Sequence, residues 1–488
     1  MTDSQLRTST VRATAGEDRQ GGVGSEPLLA LIGAGLGVPC LDGTERPYVD
    51  LDCAASTPSS ASVAAAVGDL LPVYSSVHRG AGFKSRASTA AYEEARHLAL
   101  RHAGREGSGD TAIICRNTTE ALNHLAFRLR LEPDDVVLTT VVEHHANLLP
   151  WARYARRRHV ECRLDGTFDL DDVVAGLDAA PVPKVLAITG ASNVTGWLPP
   201  VSEICAAAHS RGVPVVLDAA QLAPHRPVPS GAEGTVGPDF VAWSGHKMYA
   251  PFGAGALVGP ESAFADGEPF LAGGGAVELV DLDDVLWTHP PEREEAGSPN
   301  VVGAVALGAA IEEVARLGWG AIGRHEAVLS SRLRRGLEAI DRVRLLGPRL
   351  DTETLAVATF TVEGMHHGLV AARLAAEFGI GVRHGCFCAH PYLIRLLGLG
   401  SENLETARSQ VRLGDRRHIP GAVRASAGLG TTTQDVDALL DALRVLLSGS
   451  PPPVEYVQDT ATGDFFPAAD EAAWWAPTSG ASGGCARG

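Results

Sequence analysis

Two short stretches, each an apolar run that ends in polar residues, decide the fold of this chain. Residues 213–221 read Val-Pro-Val-Val-Leu-Asp-Ala-Ala-Gln, and residues 239–247 read Asp-Phe-Val-Ala-Trp-Ser-Gly-His-Lys. Short runs rich in β-branched and aromatic residues are typical of buried strands. Polar side chains directly after such strands predict a site at one edge of a sheet, because ligands of open α/β sheets bind outside the carboxyl ends of the strands.

The same pattern recurs along the chain. Apolar runs predict strands over Thr111–Cys115, Asp135–Thr140, Lys184–Thr189, Val213–Leu217 and Asp239–Trp243. Amphipathic stretches of helical period lie between several of them, for example Thr119–Arg130 and Val201–Ser210. Alternating strands and helices predict an α/β fold, in which helices cover both faces of a mostly parallel sheet.

A second region with a different pattern follows this α/β part. A long helical stretch, Val302–Ala339, leads to strands at Leu355–Val362 and Ile380–Val382 and to a closing helix, Thr433–Leu447. We therefore expect a smaller α+β domain behind the large one. The expected organisation is a disordered leader (1–26), a large α/β domain whose N-terminal segment partly packs with the small domain (27–310), the small domain (311–450) and a Pro/Gly-rich tail (451–488).

Composition restricts the class of protein. The chain has 488 residues, 45% of them hydrophobic and 20% charged, which is a globular balance, and its net charge is −17. A net negative chain is a poor candidate for binding nucleic acid or anionic membranes through phosphate charge. The polar leader lacks the apolar core of a signal peptide, and the eight cysteines are scattered, so we expect a cytoplasmic, thiol-reducing setting. Disorder is expected above all in the last ten residues of the tail.

Lysine is unusually rare in this chain. Only Lys84, Lys184 and Lys247 are lysines, among 41 basic residues. Arginine stays protonated near neutral pH and cannot act as an amine nucleophile, whereas lysine can. Lys84 and Lys184 have the surroundings of exposed residues, so Lys247, directly after a predicted strand, is the candidate for such chemistry.

All five predicted strand ends carry polar or ionisable side chains. The strings, in chain order, are Asn117-Thr118-Thr119-Glu120, Glu143-His144-His145-Ala-Asn147, Asn193-Val-Thr195-Gly196, Asp218-Ala-Ala-Gln221 and Ser244-Gly-His246-Lys247. Each string alone is a weak signal, because an Asp at a strand end or a Thr-Thr before a helix is commonly a helix cap. Their joint position after successive strands makes a chance arrangement improbable.

This set of side chains suits pyridoxal phosphate, which needs an amine, a carboxylate facing the ring nitrogen, a flat group over the ring and donors for the phosphate. Lys247 is the candidate for covalent attachment and for moving the substrate's Cα proton, and Asp218 for the ring nitrogen. Gln221 is placed for the ring hydroxyl and His144 for stacking. The phosphate donors expected are the helix N-terminus at Thr118 and Thr119, with Ser244 and His246.

A second cluster of reactive residues lies further along, where residues 382–391 read Val-Arg-His-Gly-Cys-Phe-Cys-Ala-His-Pro. An arginine and two imidazoles beside two thiols predict an electropositive environment, which lowers thiol pKa values and favours the nucleophilic thiolate. A metal site formed by His384, Cys386, Cys388 and His390 is an alternative, although alternating ligands on an extended chain point to both faces. An inert structural pair of cysteines is the third interpretation.

Several further motifs complete the pattern, and together they cover nearly the whole body of the chain. They are residues 48–58 (Tyr-Val-Asp-Leu-Asp-Cys-Ala-Ala-Ser-Thr-Pro), His78-Arg79-Gly80, residues 143–151, residues 218–221, residues 244–251, Gly297-Ser298-Pro299-Asn300, residues 383–391 and Val423-Arg424-Ala425-Ser426. With them the chain resembles the class V aminotransferase group of fold type I pyridoxal-phosphate enzymes, and within it the group II cysteine desulfurases and selenocysteine lyases. The resemblance implies a large domain with a mostly parallel sheet, a smaller α+β domain and a homodimer.

The resemblance also implies roles for single residues. Lys247 would hold the cofactor covalently, Asp218 would face its ring nitrogen, and His144 would stack on the ring. Thr119, Ser244 and His246 would hold its phosphate. The substrate carboxylate would lie on Asn193 and Arg424, with Arg383 also at the substrate site. Cys388 falls on the persulfide-forming cysteine, five residues after Arg383.

Three departures from the family pattern stand out. Ser298 replaces a threonine in the segment expected to reach the partner subunit's phosphate, and its hydroxyl keeps that role. An insertion that includes residues 400–420 lies between Cys388 and Arg424, beside the expected mouth of the site. Gly430-Thr431-Thr432 replaces an expected Tyr-Asn-Thr, and the Gly-Cys-Phe-Cys string also resembles one in molybdenum-cofactor sulfurases.

The function implied is a cysteine desulfurase, which converts L-cysteine to L-alanine and passes the sulfur from Cys388 to a protein or small-thiol acceptor. The first alternative is a C–S lyase that acts on a cysteine conjugate or on selenocysteine. An epimerase or aminotransferase leaves the paired cysteines unexplained. A non-catalytic sulfur carrier leaves Lys247, Asp218 and His144 unexplained.

Overall fold

The computed structural model describes residues 22–230, 236–449 and 451–468. Its helices are α1 (Ala61–Leu70), α2 (Phe83–His102), α3 (Thr118–Arg128), α4 (Leu170–Asp178), α5 (Val201–His209), α6 (Ser262–Ala265), α7 (Val301–Leu317), α8 (Trp319–Glu338), α9 (His367–Phe378), α10 (His390–Leu397), α11 (Ser401–Arg412) and α12 (Thr433–Leu447). Within these described ranges, none of the helices has both the length and the apolar character that crossing a bilayer requires.

The strands of the same residues, in chain order, are β1 (Gly37–Pro39), β2 (Glu45–Pro47), β3 (Val49–Asp50), β4 (Asp110–Cys115), β5 (Val136–Thr140), β6 (Arg156–Val160), β7 (Val185–Thr189), β8 (Val215–Asp218), β9 (Phe240–Ser244), β10 (Gly255–Pro260), β11 (Val277–Val280), β12 (Val285–Trp287), β13 (Val343–Leu346), β14 (Val357–Val362), β15 (Ile380–Gly381), β16 (Arg383–Gly385), β17 (Ala422–Ser426), β18 (Tyr456–Gln458) and β19 (Phe465–Pro467).

A seven-stranded sheet in the order β4-β10-β9-β8-β7-β5-β6 forms the large α/β part. The neighbours from β9 to β6 run parallel, and β10 runs antiparallel to both β4 and β9. This confirms the predicted α/β fold, and the five predicted strands are β4, β5, β7, β8 and β9. The sequence did not predict β10, because its Gly-Ala-Leu-Val-Gly-Pro string carries turn residues at both ends.

Both faces of this sheet are buried, as a parallel sheet requires. Along β7, Leu186 and Ile188 belong to one apolar core, and Val185 and Ala187 belong to another. Residues of α2, α4, α5 and α7 contribute to the first core, and residues of α3 and α6 contribute to the second. Helices on both faces leave the strand ends as the accessible part of the sheet.

A second, four-stranded antiparallel sheet in the order β13-β14-β17-β16 forms the smaller α+β part. The N-terminal segment packs with this part, because β3 pairs in parallel with β15 through Val49 and Ile380. The helical stretch expected over Val302–Ala339 is present, but it is divided into two separate helices, α7 and α8. They break at Gly318, whose φ of +77° is readily adopted only without a Cβ atom.

The insertion and the beginning of the tail are ordered against the small sheet. The insertion contains α11, and its Arg417 carbonyl accepts a hydrogen bond of 3.0 Å from Gln458 Nε2 of the β18–β19 hairpin. Tyr456 Oη donates to Glu377 at 3.0 Å, and the Phe465 ring lies 5.2 Å from the ring of His366. The tail aromatics in the hairpin therefore dock on the body. Residues 1–21 of the leader and 469–488 of the tail lie outside the described residues, and the domain boundaries stay predictions.

Candidate active site

A cavity of about 210 Å³ lies at the carboxyl ends of the parallel strands. The predicted site residues that line it are Thr118, Thr119, His144, Asn193, Asp218, Gln221, Ser244, His246, Lys247, Arg383, Cys388 and Arg424. The strand ends of the large sheet supply most of them, and β16, β17 and the turn after β16 supply the rest. Two sheets from distant parts of the chain thus build one site.

Lys247 and Asp218 form the ionic centre of the cavity. Burial lowers the pKa of the Lys247 amine to about 8, although the nearby Asp218 carboxylate opposes that shift. Asp218 is 3% exposed, and burial raises the pKa of its carboxyl group while a backbone hydrogen bond of 3.0 Å from Ala220 N to Oδ1 favours the charged form. A lysine with so low a pKa has a substantial neutral fraction near pH 7, which is what a nucleophilic amine needs.

His144 stands beside this pair as a neutral imidazole. Burial, and next to it the charge of Lys247, lower its pKa to about 3. Its Nδ1 accepts a hydrogen bond of 3.0 Å from the backbone N–H of Ala146, so the ring proton is on Nε2. The ring is thereby fixed in orientation and uncharged, as a stacking group in a cationic site should be.

Hydroxyl groups gather at the N-terminus of α3. Ser244 Oγ accepts from the backbone N–H of Thr118 at 2.8 Å and lies 2.6 Å from Thr118 Oγ1. Asn117 caps the helix by accepting from Glu120 N. The N-terminal end of a helix carries a partial positive charge, and with these hydroxyls it suits a phosphate group.

Arg424 connects the two sheets, and one of its hydrogen-bond donors has no partner within the described part of the chain. Its Nη1 donates to the Asn193 carbonyl at 3.0 Å, and its Nη2 pairs with Asp52 Oδ1 at 2.9 Å. Its Nε is buried and has no hydrogen-bond partner among the described groups. Sequence reasoning missed Asp52, which also lies 3.8 Å from Arg383 Nη1. The motif at residues 48–58 contains it, but the pairing spans 372 positions.

The two cysteines lie on a tight turn after β16. The Cys386 carbonyl accepts from Ala389 N at 2.9 Å, and Phe387 and Cys388 between them both have φ of +54°. Asn193 Nδ2 donates to the Phe387 carbonyl at 2.7 Å, and His145 N donates to the Cys388 carbonyl at 2.8 Å. Cys388 is exposed and Cys386 is half-buried. These hydrogen bonds fix the turn, on which Cys388 is exposed and also lines the cavity.

The expected electropositive surroundings of these thiols are only partly present. Burial lowers the pKa values of His384 and His390, so both imidazoles are neutral near pH 7 and Arg383 supplies the charge. Burial also raises the pKa of the Cys386 thiol, and the prediction of a lowered value was wrong for that residue. Sequence patterns give the residue types but not their exposure to water, which decides their charge.

The alternative of a metal site in residues 384–390 finds no support in the described residues. His384 Nε2 lies 3.4 Å from Asp464, and the His390 ring stacks on His145 at 5.2 Å. The described side chains that come within ligand distance of one another are His78, Glu93 and Glu292, far along the chain from the cysteines. The two imidazoles therefore have separate neighbours, and the four predicted ligands do not gather around one point in the described residues.

Ser298, Gln221 and Glu143 differ from the residues above in their position or in their predicted role. Ser298 does not line this cavity and lies instead in a second one of about 580 Å³ with Arg79 and other residues. Gln221 Nε2 donates to the Ala54 carbonyl at 2.7 Å. Sequence reasoning gave no role to Glu143, whose carboxylate accepts from Thr140 Oγ1 at 2.8 Å and has a pKa that burial raises to about 8.

Comparison with known proteins places this geometry in a family. The family model described as aminotransferase class-V matches residues 49–439. The chain belongs to the class-V aminotransferase family. A probable cysteine desulfurase from Xylella fastidiosa (strain Temecula1) is 39% identical over 289 residues, which are 58% of this chain and 68% of that protein. A cysteine desulfurase from Klebsiella pneumoniae (strain 342) is 33% identical over 409 residues, 82% of this chain and 93% of that protein.

Solved structures with the same fold include related proteins. An apo cysteine desulfurase from Thermococcus onnurineus NA1 superposes with a TM-score of 0.72 at 32% identity, covering 83% of this chain and 95% of that one. A cysteine desulfurase from Escherichia coli in an S-sulfonic acid form gives a TM-score of 0.68 at 31% identity and covers 82% and 95%. The predicted fold type and family are thereby confirmed.

Proposed function

We propose that this chain is a pyridoxal-phosphate-dependent cysteine desulfurase, which converts L-cysteine to L-alanine and retains the sulfur as a persulfide on Cys388. One observation carries the proposal: the exposed Cys388 lines the same cavity as the Lys247 amine and the Asp218 carboxylate. A lyase needs only the buried amine and carboxylate, whereas a desulfurase also needs a thiol within reach of the substrate's sulfur. The names of the relatives support the same activity.

The cavity has the groups that pyridoxal phosphate requires. Lys247 provides the amine for covalent attachment, Asp218 the carboxylate for the ring nitrogen, and His144 the neutral ring for stacking. Donors for the phosphate are Thr118, Thr119, Ser244 and His246, with Gln221 near the ring hydroxyl. When bound, the cofactor supplies an electron sink that makes the substrate's Cα proton acidic.

Lys247 also moves the proton at the substrate's Cα atom. Its pKa of about 8 lets the amine accept and return a proton near neutral pH without a large penalty in either direction. The buried carboxylate of Asp218 favours positive charge at the ring nitrogen, since an opposite charge at short distance stabilises it in a poorly solvated site.

The substrate carboxylate is assigned to the basic group between the two sheets. Arg424 offers its unpartnered Nε, Asn193 its side-chain amide, and Arg383 a second guanidinium. Asp52 holds Arg424 by a hydrogen bond of 2.9 Å and so orients it. This binding mode directs the substrate's side chain to the remaining part of the cavity, where Cys388 lies.

Cys388 then takes the sulfur. Its thiolate attacks the substrate's sulfur atom, a new S–S bond forms, and the Cβ–S bond of the substrate breaks. The electron pair of the broken bond stays on the carbon, which is protonated, and L-alanine leaves. Cys388 carries the sulfane sulfur until a thiol of an acceptor protein or small molecule removes it.

We further propose a homodimer that works in the cytoplasm. The β11–β12 hairpin exposes large apolar side chains, with Leu279 69% exposed, Leu282 102% and Leu286 60%, which a second copy would cover. Ser298 lies in the cavity that this hairpin borders, apart from its own chain's site. That position fits a hydroxyl that reaches the partner's phosphate. The described cysteines are all free, as expected of a thiol-reducing compartment.

Replacement of Cys388 by alanine tests the activity. The variant should bind the cofactor normally, because Cys388 is exposed, but it should form no persulfide and lose L-alanine production from L-cysteine by on the order of 10²-fold or more, as on removal of a catalytic group. Amino-acid analysis and mass spectrometry of the protein measure both products. Continued turnover of L-cysteine by the variant would favour the C–S lyase instead.

A further inference from the structure

The turn after β16 holds a second thiol for which the proposed activity has no use. We propose that Cys386 is a second sulfur carrier, which takes the sulfane sulfur from the Cys388 persulfide and holds it outside the cavity. This second transfer rests on the proposed desulfurase activity, since the sulfur that moves is the one that Cys388 receives.

Cys386 and Cys388 lie on the same tight turn. A single residue, Phe387, separates Cys386 from Cys388, and the hydrogen bond of 2.9 Å from Ala389 N to the Cys386 carbonyl closes the turn around both cysteines. Because both side chains leave the same short turn, a sulfur added to Cys388 would reach Cys386 by rotation of the side chains.

The two thiols face different surroundings. Cys388 lines the cavity and is exposed, whereas Cys386 is half-buried and packs against the main apolar core. The backbone cannot swing to carry the sulfur away, because the carbonyls of Phe387 and Cys388 are held by Asn193 and His145. Transfer to Cys386 would free Cys388 for another substrate.

The transfer balances without any further reagent. The Cys386 thiolate attacks the terminal sulfur of the Cys388 persulfide, a new S–S bond forms on Cys386, and the bond between Cys388 Sγ and the sulfane sulfur breaks. Cys388 leaves as a thiolate and takes up the proton that Cys386 lost. One S–S bond replaces another, so no oxidant or reductant is consumed. Burial raises the pKa of the Cys386 thiol, so its thiolate is the minor form at neutral pH and the transfer should become faster as the pH rises.

The test counts and locates sulfur on the full-length holoenzyme. The protein is mixed with excess L-cysteine and no other thiol, its sulfane sulfur is quantified by cyanolysis, and the modified cysteines are located by peptide mass spectrometry. Wild type should hold about two sulfane sulfurs per chain, first on Cys388 and then also on Cys386, as thiol exchange between neighbours requires. Cys386→Ser should hold about half as much, all of it on Cys388.

A matched control variant and the mapping of sulfur in wild type complete the test. Cys162 is also half-buried but lies outside the turn, so Cys162→Ser should load as much sulfur as wild type. Mapping in wild type does not depend on how any variant folds. Sulfur found only on Cys388, whether one atom or a longer chain of them, would overturn the role of Cys386 and leave the desulfurase activity standing. A holoenzyme that forms neither alanine nor persulfide would overturn both.

Discussion

The two halves of the cavity differ in solvent exposure. The half built on the large sheet holds Lys247, Asp218 and His144 under low exposure, and burial shifts the pKa values of all three. The half built on the small sheet presents Cys388 on a turn that is exposed. Proton transfer gains from a dry site in which charges are strongly felt, whereas sulfur must be handed to another molecule and therefore needs an open position.

The difference follows from how each half is built. Parallel strands covered on both faces bring their ends together between helices, so the residues directly after β8 are buried, and His246 and Lys247 after β9 are half-buried. The turn after β16 follows a strand at the edge of the four-stranded sheet, where one side stays open. Hydrogen bonds from Asn193 and His145 then fix the turn against the buried half.

Removal of the amine should give the largest effect. Lys247→Ala should abolish covalent cofactor attachment and reduce L-alanine formation by on the order of 10³-fold or more, as expected when one group serves as nucleophile and as proton carrier. The visible absorbance of the bound cofactor and amino-acid analysis provide the measurements. Lys184→Ala is the matched control, because Lys184 is exposed at the other end of β7 and should behave as wild type. Equal activity in both variants would contradict the assignment.

Thiol labelling compares the two halves directly. A limiting dose of iodoacetamide on the native protein should modify Cys388 first and Cys386 more slowly. Cys205 is buried, and its pKa is raised to about 12. Because the thiolate is the reactive form, Cys205 should be modified at least on the order of 10²-fold more slowly than Cys388. Peptide mass spectrometry gives the order. Early labelling of Cys205 would mean that the described burial does not hold in solution.

The pH dependence of cofactor capture sharpens the account of the buried half. Only the neutral Lys247 amine attaches the cofactor, and with a pKa of about 8 roughly one amine in ten is neutral at pH 7. The rate of capture by cofactor-free protein should therefore rise about tenfold from pH 6 to 7 and level off above about pH 8. Rapid-mixing absorbance measures it. A rate that keeps rising to pH 10 would assign the amine an ordinary, unburied pKa.

Local patterns predicted five of the seven strands of the large sheet and missed β10 and also β6, whose Arg-Arg-Arg-His-Val string is basic rather than apolar. Asp218 and Lys247 follow short apolar runs that are recognisable within a few residues. The observed bounds of β8 and β9 differ from the predicted bounds by no more than two positions. The helix break at Gly318 and strand β10 were missed because glycine gives the same signal in a turn, a break and a strand end.

The remaining parts of the site depend on contacts that no local pattern contains. Asp52 orients Arg424 across 372 positions, so nothing near either residue predicts the pair. The pKa values of His384 and His390 are lowered by partial desolvation, whose extent the sequence does not give. The residue types at the site were therefore predictable, and their charge states and connections between the sheets were not.

A single turnover tests the central claim, that the buried half cleaves L-cysteine and the exposed half keeps its sulfur. Holoenzyme in excess is mixed with a limiting amount of L-cysteine without any acceptor thiol, and alanine and protein-bound sulfane sulfur are measured in the same quenched sample. The account predicts equal amounts of the two, with the sulfur appearing first on Cys388. Free sulfide released while Cys388 stays unmodified would contradict it.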